Sequence, residues 1–290
     1  MNKAVIAIGS NSTRMYVKSG ENELKRREDT RLMLGISPDG MISPGAMHTV
    51  AMAVLRLKSE ARLFGAEQIH LFATSAAREA KNAEEFADEL RRVAGMELSI
   101  ISGEEEARCA FIAASGGKHC AVLDIGGGST EITVGANNQI EKALSTKLGA
   151  SRLMQQIGKI GSIQEAEIGI ENARCNLQSS FADILALPIP PALTVIGGTA
   201  TTLAAMHLKT ISHGDELEGT VIPLDAARDT LLMLAPMAEE NRGQIIGLHQ
   251  TRSAIMPHGL CILCAAMELF GYDKMTVSVR NNLDALIDIV

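Results

Sequence analysis

Along this chain the spacing of apolar positions switches repeatedly between strand-like and helix-like periods. Residues 3–9 (KAVIAIG) are a continuous apolar run of strand length, and residues 14–18 read as the strand returning from a tight GSNS turn. From Pro44 the run PGAMHTVAMAVLRLKSEARLFGA repeats apolar residues at helical spacing and closes on Gly65. The strand IHLFAT (69–74) follows, then a helix for which Asn82 supplies the cap, with Glu85 three residues on. Ala83, Phe86, Leu90 and Val93 line one face of that helix and Gly95 ends it. ELSIIS (97–102) is a strand feeding the next helix directly.

The second half opens like the first, with a hairpin AVLDI…EITVG. Helical segments are expected over 149–185, interrupted by glycines near 158–161. The loop LPIPPAL, the strand LTVIGG and the helix TATTLAAMHL come next. The last 40 residues are expected to be helical up to Phe270, with a short strand at 275–279 and a terminal helix. This alternation predicts an α/β fold.

The two hairpins are copies of one another. Ala4–Val17 (AVIAIGSNSTRMYV) and Ala121–Val134 (AVLDIGGGSTEITV) align without a gap at an offset of 117 and agree at seven of fourteen positions. A strand that ends in IGxxS and turns straight into another strand exposes backbone N–H groups at the bend. Glycine admits an anion close to that backbone and Ser/Thr hydroxyls add donors, so each loop is a candidate phosphate cradle; an ordinary hairpin turn needs the same residue types. Two copies facing each other across a cleft would grip one phosphate chain from both sides. A third glycine loop, Gly197-Gly198-Thr199, leads into a helix whose N-terminus offers a nucleotide or anion site, or a plain strand-to-helix turn.

Length and composition fit this picture. A chain of 290 residues suits two domains, drawn here as 1–117 and 118–290 with the C-terminal helix joining the first; nothing resembles a flexible linker. Hydrophobic residues at 46% and charged residues at 21% support sizeable cores. No apolar run has the length of a membrane helix, and the amino terminus shows no signal-peptide cleavage site, which points to the cytoplasm. The net charge of −7 divides into 15 basic against 16 acidic residues over 1–117 (−1) and 12 against 18 over 118–290 (−6). With no dense basic stripe, duplex nucleic acid is a poor partner, the absence of Trp leaves little for base stacking, and without a long apolar run no membrane partner is expected. The nearest basic group, Lys25-Arg26-Arg27 with Arg31, reads as a solvated hairpin flank as readily as an anion site. The five cysteines are scattered and read as reduced; Cys261 and Cys264 form a CxxC inside an apolar helical run and read as core.

Six motifs in order, IGSNSTR, ATSAAREAKNAEEF, ISGEEEA, DIGGGSTE, KLGASRL and GGTATTLAAM, resemble the exopolyphosphatase/guanosine pentaphosphate phosphohydrolase (Ppx/GppA) family of the actin-like ATPase superfamily, in its short form. The resemblance implies two duplicated actin-like (ribonuclease H-like) domains facing each other across a cleft, and a hydrolase that releases terminal phosphate from inorganic polyphosphate or guanosine pentaphosphate. By the same resemblance Glu106 activates the attacking water. Gly9, Ser10, Asn11, Ser12, Arg14 and Arg78 bind phosphate, as do Gly126, Gly127, Gly128, Ser129 and Thr130. Asp124 and Glu131 hold Mg2+ or orient water. The local sequence supports Glu106: Ser102 and Glu105 form a capping box, Ala110 and Ala113 on its face leave room for a substrate, and three adjacent carboxylates should raise one another's proton affinity. A homodimer is compatible with the resemblance.

The chain also departs from the family. Ala7 stands where relatives carry an Asp, so the first loop has lost a carboxylate that would face a metal. Arg252-Ser253-Ala254 replaces an RAD sequence, and SVRNNLDALI replaces a glycine-containing motif. These changes favour a second reading, a binding or sensor protein that keeps the cradle for a phosphorylated nucleotide with little or no turnover. A small-molecule kinase of the same superfamily fits less well, because no sugar-binding segment is visible.

Overall fold

The computed structural model describes residues 2–212 and 214–289. In chain order the strands are β1 (Lys3–Ile8), β2 (Thr13–Ser19), β3 (Asn22–Glu28), β4 (Gln68–Ala73), β5 (Leu98–Ile100), β6 (Cys120–Ile125), β7 (Thr130–Ala136), β8 (Gln139–Thr146), β9 (Leu193–Ile196), β10 (Val221–Pro223) and β11 (Lys274–Val277). The helices are α1 (Pro44–Leu63), α2 (Ser75–Glu79), α3 (Ala83–Ala94), α4 (Gly103–Ala114), α5 (Ala150–Ile157), α6 (Ile163–Ser180), α7 (Ala182–Leu185), α8 (Gly197–His207), α9 (Leu224–Leu234), α10 (Glu239–Arg242), α11 (Met256–Phe270) and α12 (Asn282–Ile289). They form two units, Met1–Cys109 with Asn282–Val290, and Ala110–Asn281. The division falls inside α4.

The first unit is built on a five-stranded sheet of order β3-β2-β1-β4-β5, with β1, β4 and β5 parallel. Ala4, Ile6 and Ile8 of β1 meet Val50, Val54 and Leu57 of α1 and Phe86 and Leu90 of α3 in one core. Ser43 starts α1 by accepting a hydrogen bond from the Ala46 N–H, and Gly95 ends α3 in the left-handed conformation at φ 58°. Asn82 does not cap α3 with its side chain, contrary to expectation. Its amide instead accepts from the Ile42 N–H (2.8 Å) and donates to the Ile42 carbonyl (3.0 Å), satisfying a buried backbone segment on another loop. Helix α12 packs on β1 and β2, burying Leu283, Leu286 and Ile287.

The second unit repeats that sheet order as β8-β7-β6-β9-β11 and adds β10 at the far edge. Strands β6, β9 and β11 are parallel, and the hairpin β6/β7 pairs in the same register as β1/β2, shifted by the sequence offset. Ala7 lies opposite Arg14, and Asp124 opposite Glu131. Its core gathers Leu123, Ile125 and Val195 of the sheet with Ile170 and Leu177 of α6 and Leu260, Leu263 and Met267 of α11. The CxxC belongs to this core, as expected: burial pushes the Cys261 thiol up, and that of Cys264 up to about 12.

Strands β3 and β8 were not foreseen. β3 is mostly exposed and highly charged, so it carries no apolar alternation to reveal it. It is held by ladder bonds to β2 and by ion pairs, Lys25 with Asp284, Arg26 with Glu60 and Arg27 with Asp29. The basic cluster is thus a paired sheet edge.

Candidate functional site

In each unit the chain leaves the central parallel strand through a loop of the same construction. At the first loop the Gly9 N–H donates to the Ser12 carbonyl (3.0 Å), and the Ser10 and Asn11 carbonyls accept from Met33 and Arg31 (2.8 Å each). Among the described residues, no acceptor takes the N–H of Ser10, Asn11 or Ser12. The second loop follows suit. Gly126 donates to the Ser129 carbonyl (3.0 Å), the Gly126 carbonyl accepts from Ala150, and the Gly127 carbonyl accepts from Ser151 and Arg152. The Gly128 carbonyl accepts from Arg152 Nε at 2.7 Å, while the Gly127, Gly128 and Ser129 N–H groups have no acceptor among the described residues. Carbonyls tied back and amide hydrogens left over give an anion-binding concavity. A Cβ on Gly9 or Gly126 would lie 3.1 or 3.0 Å from the loop's own Ser carbonyl, which is why both bends start with glycine. Gly149 lets the bracing segment approach to van der Waals contact; a Cβ there would lie 2.5 Å from the Gly127 and Gly128 backbone.

Parallel strands deliver their following loops to one edge of a sheet. In the first unit, β1, β4 and β5 lead to the Gly9 loop, to α2 with Arg78, and to α4 with Glu106. That edge is stitched by Thr74 N–H to Ile8 carbonyl and Ile101 N–H to Ala73 carbonyl (3.1 Å each). The Arg78 guanidinium is half-buried, donates to the Ile101 carbonyl (2.8 Å), and lies 3.5 Å from the buried Glu106 carboxylate. The capping box predicted for α4 is present: Glu105 N–H donates to Ser102 Oγ (3.1 Å), and Ser102 N–H to Glu105 Oε2 (2.9 Å). These bonds hold the Glu105 carboxyl below its ordinary value. Ala110 also departs from expectation. It packs against Cys120, Val122 and Ile196, so its small size serves helix-to-sheet packing and leaves no room for a substrate.

In the second unit Asp124 and Glu131 are buried and directly opposite on β6 and β7, and Ser145 Oγ donates to Glu131 Oε1 at 2.7 Å. Like charges facing each other in a buried position disfavour each other, which a bound cation would relieve. No cluster of three or more potential ligands occurs among the described residues. Mg2+ is commonly held by one or two carboxylates plus substrate phosphates, so this pair fits it.

The Gly197-Gly198-Thr199 loop follows β9 and opens α8, as the sequence predicts. Gly197 has φ +86°, and a Cβ on it would lie 2.5 Å from Asp124 Oδ1; on Gly198 it would fall inside the Arg252 guanidinium. These glycines therefore make room for a carboxylate and an arginine. Thr199 is packed against α11, where a Cβ on Gly259 would meet its Oγ1 at 2.4 Å. Thr130 is also turned inward and donates its hydroxyl to the Leu148 carbonyl (2.6 Å), bracing the loop from below. Sequence reasoning had not assigned Arg152 and Arg252 to the site. Both stood in quoted motifs, but only coordinates show one guanidinium on a loop carbonyl and the other stacked on a glycine.

Two units with sheets of the same strand order, each with a bend of the same construction after its first strand, define a duplicated α/β chain. A family model for the Ppx/GppA phosphatase family matches residues 20–281, and the chain belongs to that family. Among curated relatives, a guanosine-5'-triphosphate,3'-diphosphate pyrophosphatase of Aeromonas hydrophila is 29% identical over 287 residues, covering 95% of this chain and 56% of the relative. Its counterpart from Aeromonas salmonicida is 28% identical with the same coverage. The chain thus spans about half the length of these relatives. Among solved structures, an exopolyphosphatase of Cytophaga hutchinsonii superposes with a TM-score of 0.89 at 20% identity, covering 100% of this chain and 99% of that one. The Aquifex aeolicus PPX-GPPA enzyme gives 0.80 at 24%, with the same coverage; both likenesses show the shared fold. Among the described residues no helix is long and apolar enough to cross a membrane.

Proposed function

We propose that the chain is a phosphohydrolase that releases the terminal phosphate of inorganic polyphosphate or of guanosine pentaphosphate. The observation that carries this reading is that each bend leaves three N–H groups without an acceptor among the described residues, a donor set suited to phosphate oxygens. Family membership and the names of the relatives support the substrate class.

In this reading Glu106 accepts a proton from water as the water oxygen attacks the terminal phosphorus and the bond to the bridging oxygen breaks, giving inorganic phosphate and a chain one unit shorter. Arg78, 3.5 Å from that carboxylate, orients it and offers a guanidinium to phosphate oxygens. The open-turn amides take the charge on the non-bridging oxygens. Asp124 and Glu131 would hold Mg2+, which, when bound, neutralises charge on the phosphate chain.

A second reading, a binding protein with little turnover, is favoured by Ala7, which removes one acid from the first loop. A phosphate-release assay with Mg2+ on tripolyphosphate and guanosine pentaphosphate separates the two. The hydrolase predicts release by the wild type, reduced about 10²–10⁴-fold in Glu106→Gln with binding retained. Absence of release alongside intact binding establishes the binding protein instead.

A further inference from the structure

Helix α5 braces the second bend from its first turn, where the N–H groups of Ala150 (2.9 Å), Ser151 (2.9 Å) and Arg152 (3.0 Å) donate to the Gly126 and Gly127 carbonyls. The other end of the same helix closes on Gly158, at φ 77°, and there a side chain of α11 takes hold. His258 is fully buried, and its Nε2 lies 2.8 Å from the Gly158 carbonyl, joining positions 100 residues apart. A carbonyl only accepts, so Nε2 carries the hydrogen and the neutral ring leaves Nδ1 unprotonated. Nδ1 is buried too and makes no well-formed hydrogen bond among the described residues. A neutral imidazole tolerates that surrounding better than an imidazolium, which would bring a second N–H to satisfy.

A buried guanidinium stands close by. Arg242 of α10 donates to the carbonyls of Ile160 (2.6 Å), Leu234 (3.0 Å), Ser253 (3.2 Å) and Ala235 (3.3 Å), so it and His258 clasp the same α5–α6 connection. Other charged groups on the surrounding elements are engaged elsewhere. Arg152 of α5 donates to the Gly128 carbonyl, Lys159 pairs with Glu239, Glu165 of α6 accepts from the Gly161 N–H, and Glu167 of α6 accepts from Arg228 of α9. Asp124 of β6 lies against Gly197 and Arg252 against Gly198, while α8 offers His207 at its far end. The Cys261 thiol, one turn along α11, is kept neutral by burial. The charge that bears on His258 is therefore that of Arg242, and it is positive. Burial pushes the imidazole below its ordinary 6.5, Arg242 adds to that, and the Gly158 and Ala254 carbonyls oppose it without prevailing.

We infer that His258 is an acid-operated latch: as the neutral ring it fastens the end of α5 to α11 and keeps the second bend braced, and on taking a proton from solvent it lets go and the brace loosens. A group that is harder to protonate when folded contributes stability above its unfolded value and loses it as pH falls below about 6.5, towards the lowered folded-state value. The latch is independent of what the bend binds, so it stands whether or not the chain releases phosphate.

The test is amide hydrogen exchange of the whole chain without ligand, at about pH 7.5 and about pH 5.5, corrected for intrinsic exchange rates. The quantity read is the protection of Ala150, Ser151 and Arg152 relative to that of Arg31 and Met33, which brace the first bend in the same way. In the wild type this ratio should fall about tenfold at the lower pH, as an opened ring of ordinary pKa implies. His258→Gln keeps a side-chain N–H for the Gly158 carbonyl but does not titrate, so its ratio should hold steady. A wild-type ratio that does not change, or one that falls as far in His258→Gln, overturns the latch. Should the variant not melt cooperatively, the wild type decides alone: the His258 ring, followed by nuclear magnetic resonance, should titrate below 6.5, and a value at or above 6.5 overturns the latch. Neither measurement involves phosphate release, so failure here leaves the phosphohydrolase reading where it was.

Discussion

Substituting Gly197 by alanine perturbs the second loop through one methyl group. The residue sits at φ +86°, where an L side chain costs about 1–2 kcal/mol, and the added Cβ would lie 2.5 Å from Asp124 Oδ1 and 3.1 Å from the Ile125 carbonyl. Neither neighbour can give easily: Ile125 belongs to β6, and Asp124 is buried beside Glu131. Overpacking of this kind adds about 1–3 kcal/mol. Gly20 provides the control, since it has φ +62° and nothing within 4 Å of the Cβ position. Urea denaturation should therefore show Gly20→Ala losing about 1–2 kcal/mol and Gly197→Ala about 2–5 kcal/mol, offset in both by a few tenths from the stiffer unfolded chain. In the proposed reading, where Asp124 and Glu131 hold Mg2+, Gly197→Ala should also weaken stabilisation by added Mg2+, because Asp124 must move. Equal costs for the two variants would refute the close approach of Gly197 and the Asp124 carboxylate.

Asn82→Ala should cost about 2–4 kcal/mol in the same assay, since it strands both backbone groups of Ile42; a cost near 1 kcal/mol would indicate a simple helix cap. Glu105 has a folded-state pKa below its ordinary 4.5, so its stabilisation is present above that value and is lost as pH falls through the lowered one. The stability gap between wild type and Glu105→Gln should accordingly close on acidification, and a gap that persists at low pH would contradict the capping-box assignment. Thiol titration of the native chain should label Cys175 alone, with Cys109, Cys120, Cys261 and Cys264 reacting only on unfolding.

The fold was legible wherever apolar spacing and a copied motif reinforced each other. The β1/β2 and β6/β7 hairpins align in sequence at one offset, and their registers differ by that same offset. β3 was hidden because its pairing rests on backbone ladders and ion pairs, which leave no apolar period. Asn82 misled because a cap and a cross-loop clamp use the same residue type. For Gly197-Gly198 the sequence left an anion site and a plain strand-to-helix turn open, and the groups that approach these glycines, Asp124 and Arg252, are distant in sequence. Ala110 showed the same ambiguity, since a small residue serves close packing as well as open space.

Nuclear magnetic resonance of the backbone amides tests most directly whether the two bends are anion cradles. On titration with tripolyphosphate and Mg2+, the amide resonances of Ser10, Asn11, Ser12, Gly127, Gly128 and Ser129 should move together and furthest, because these are the donors the folded chain leaves over. Ligand binding that shifts amides elsewhere and leaves these six unmoved would contradict the account.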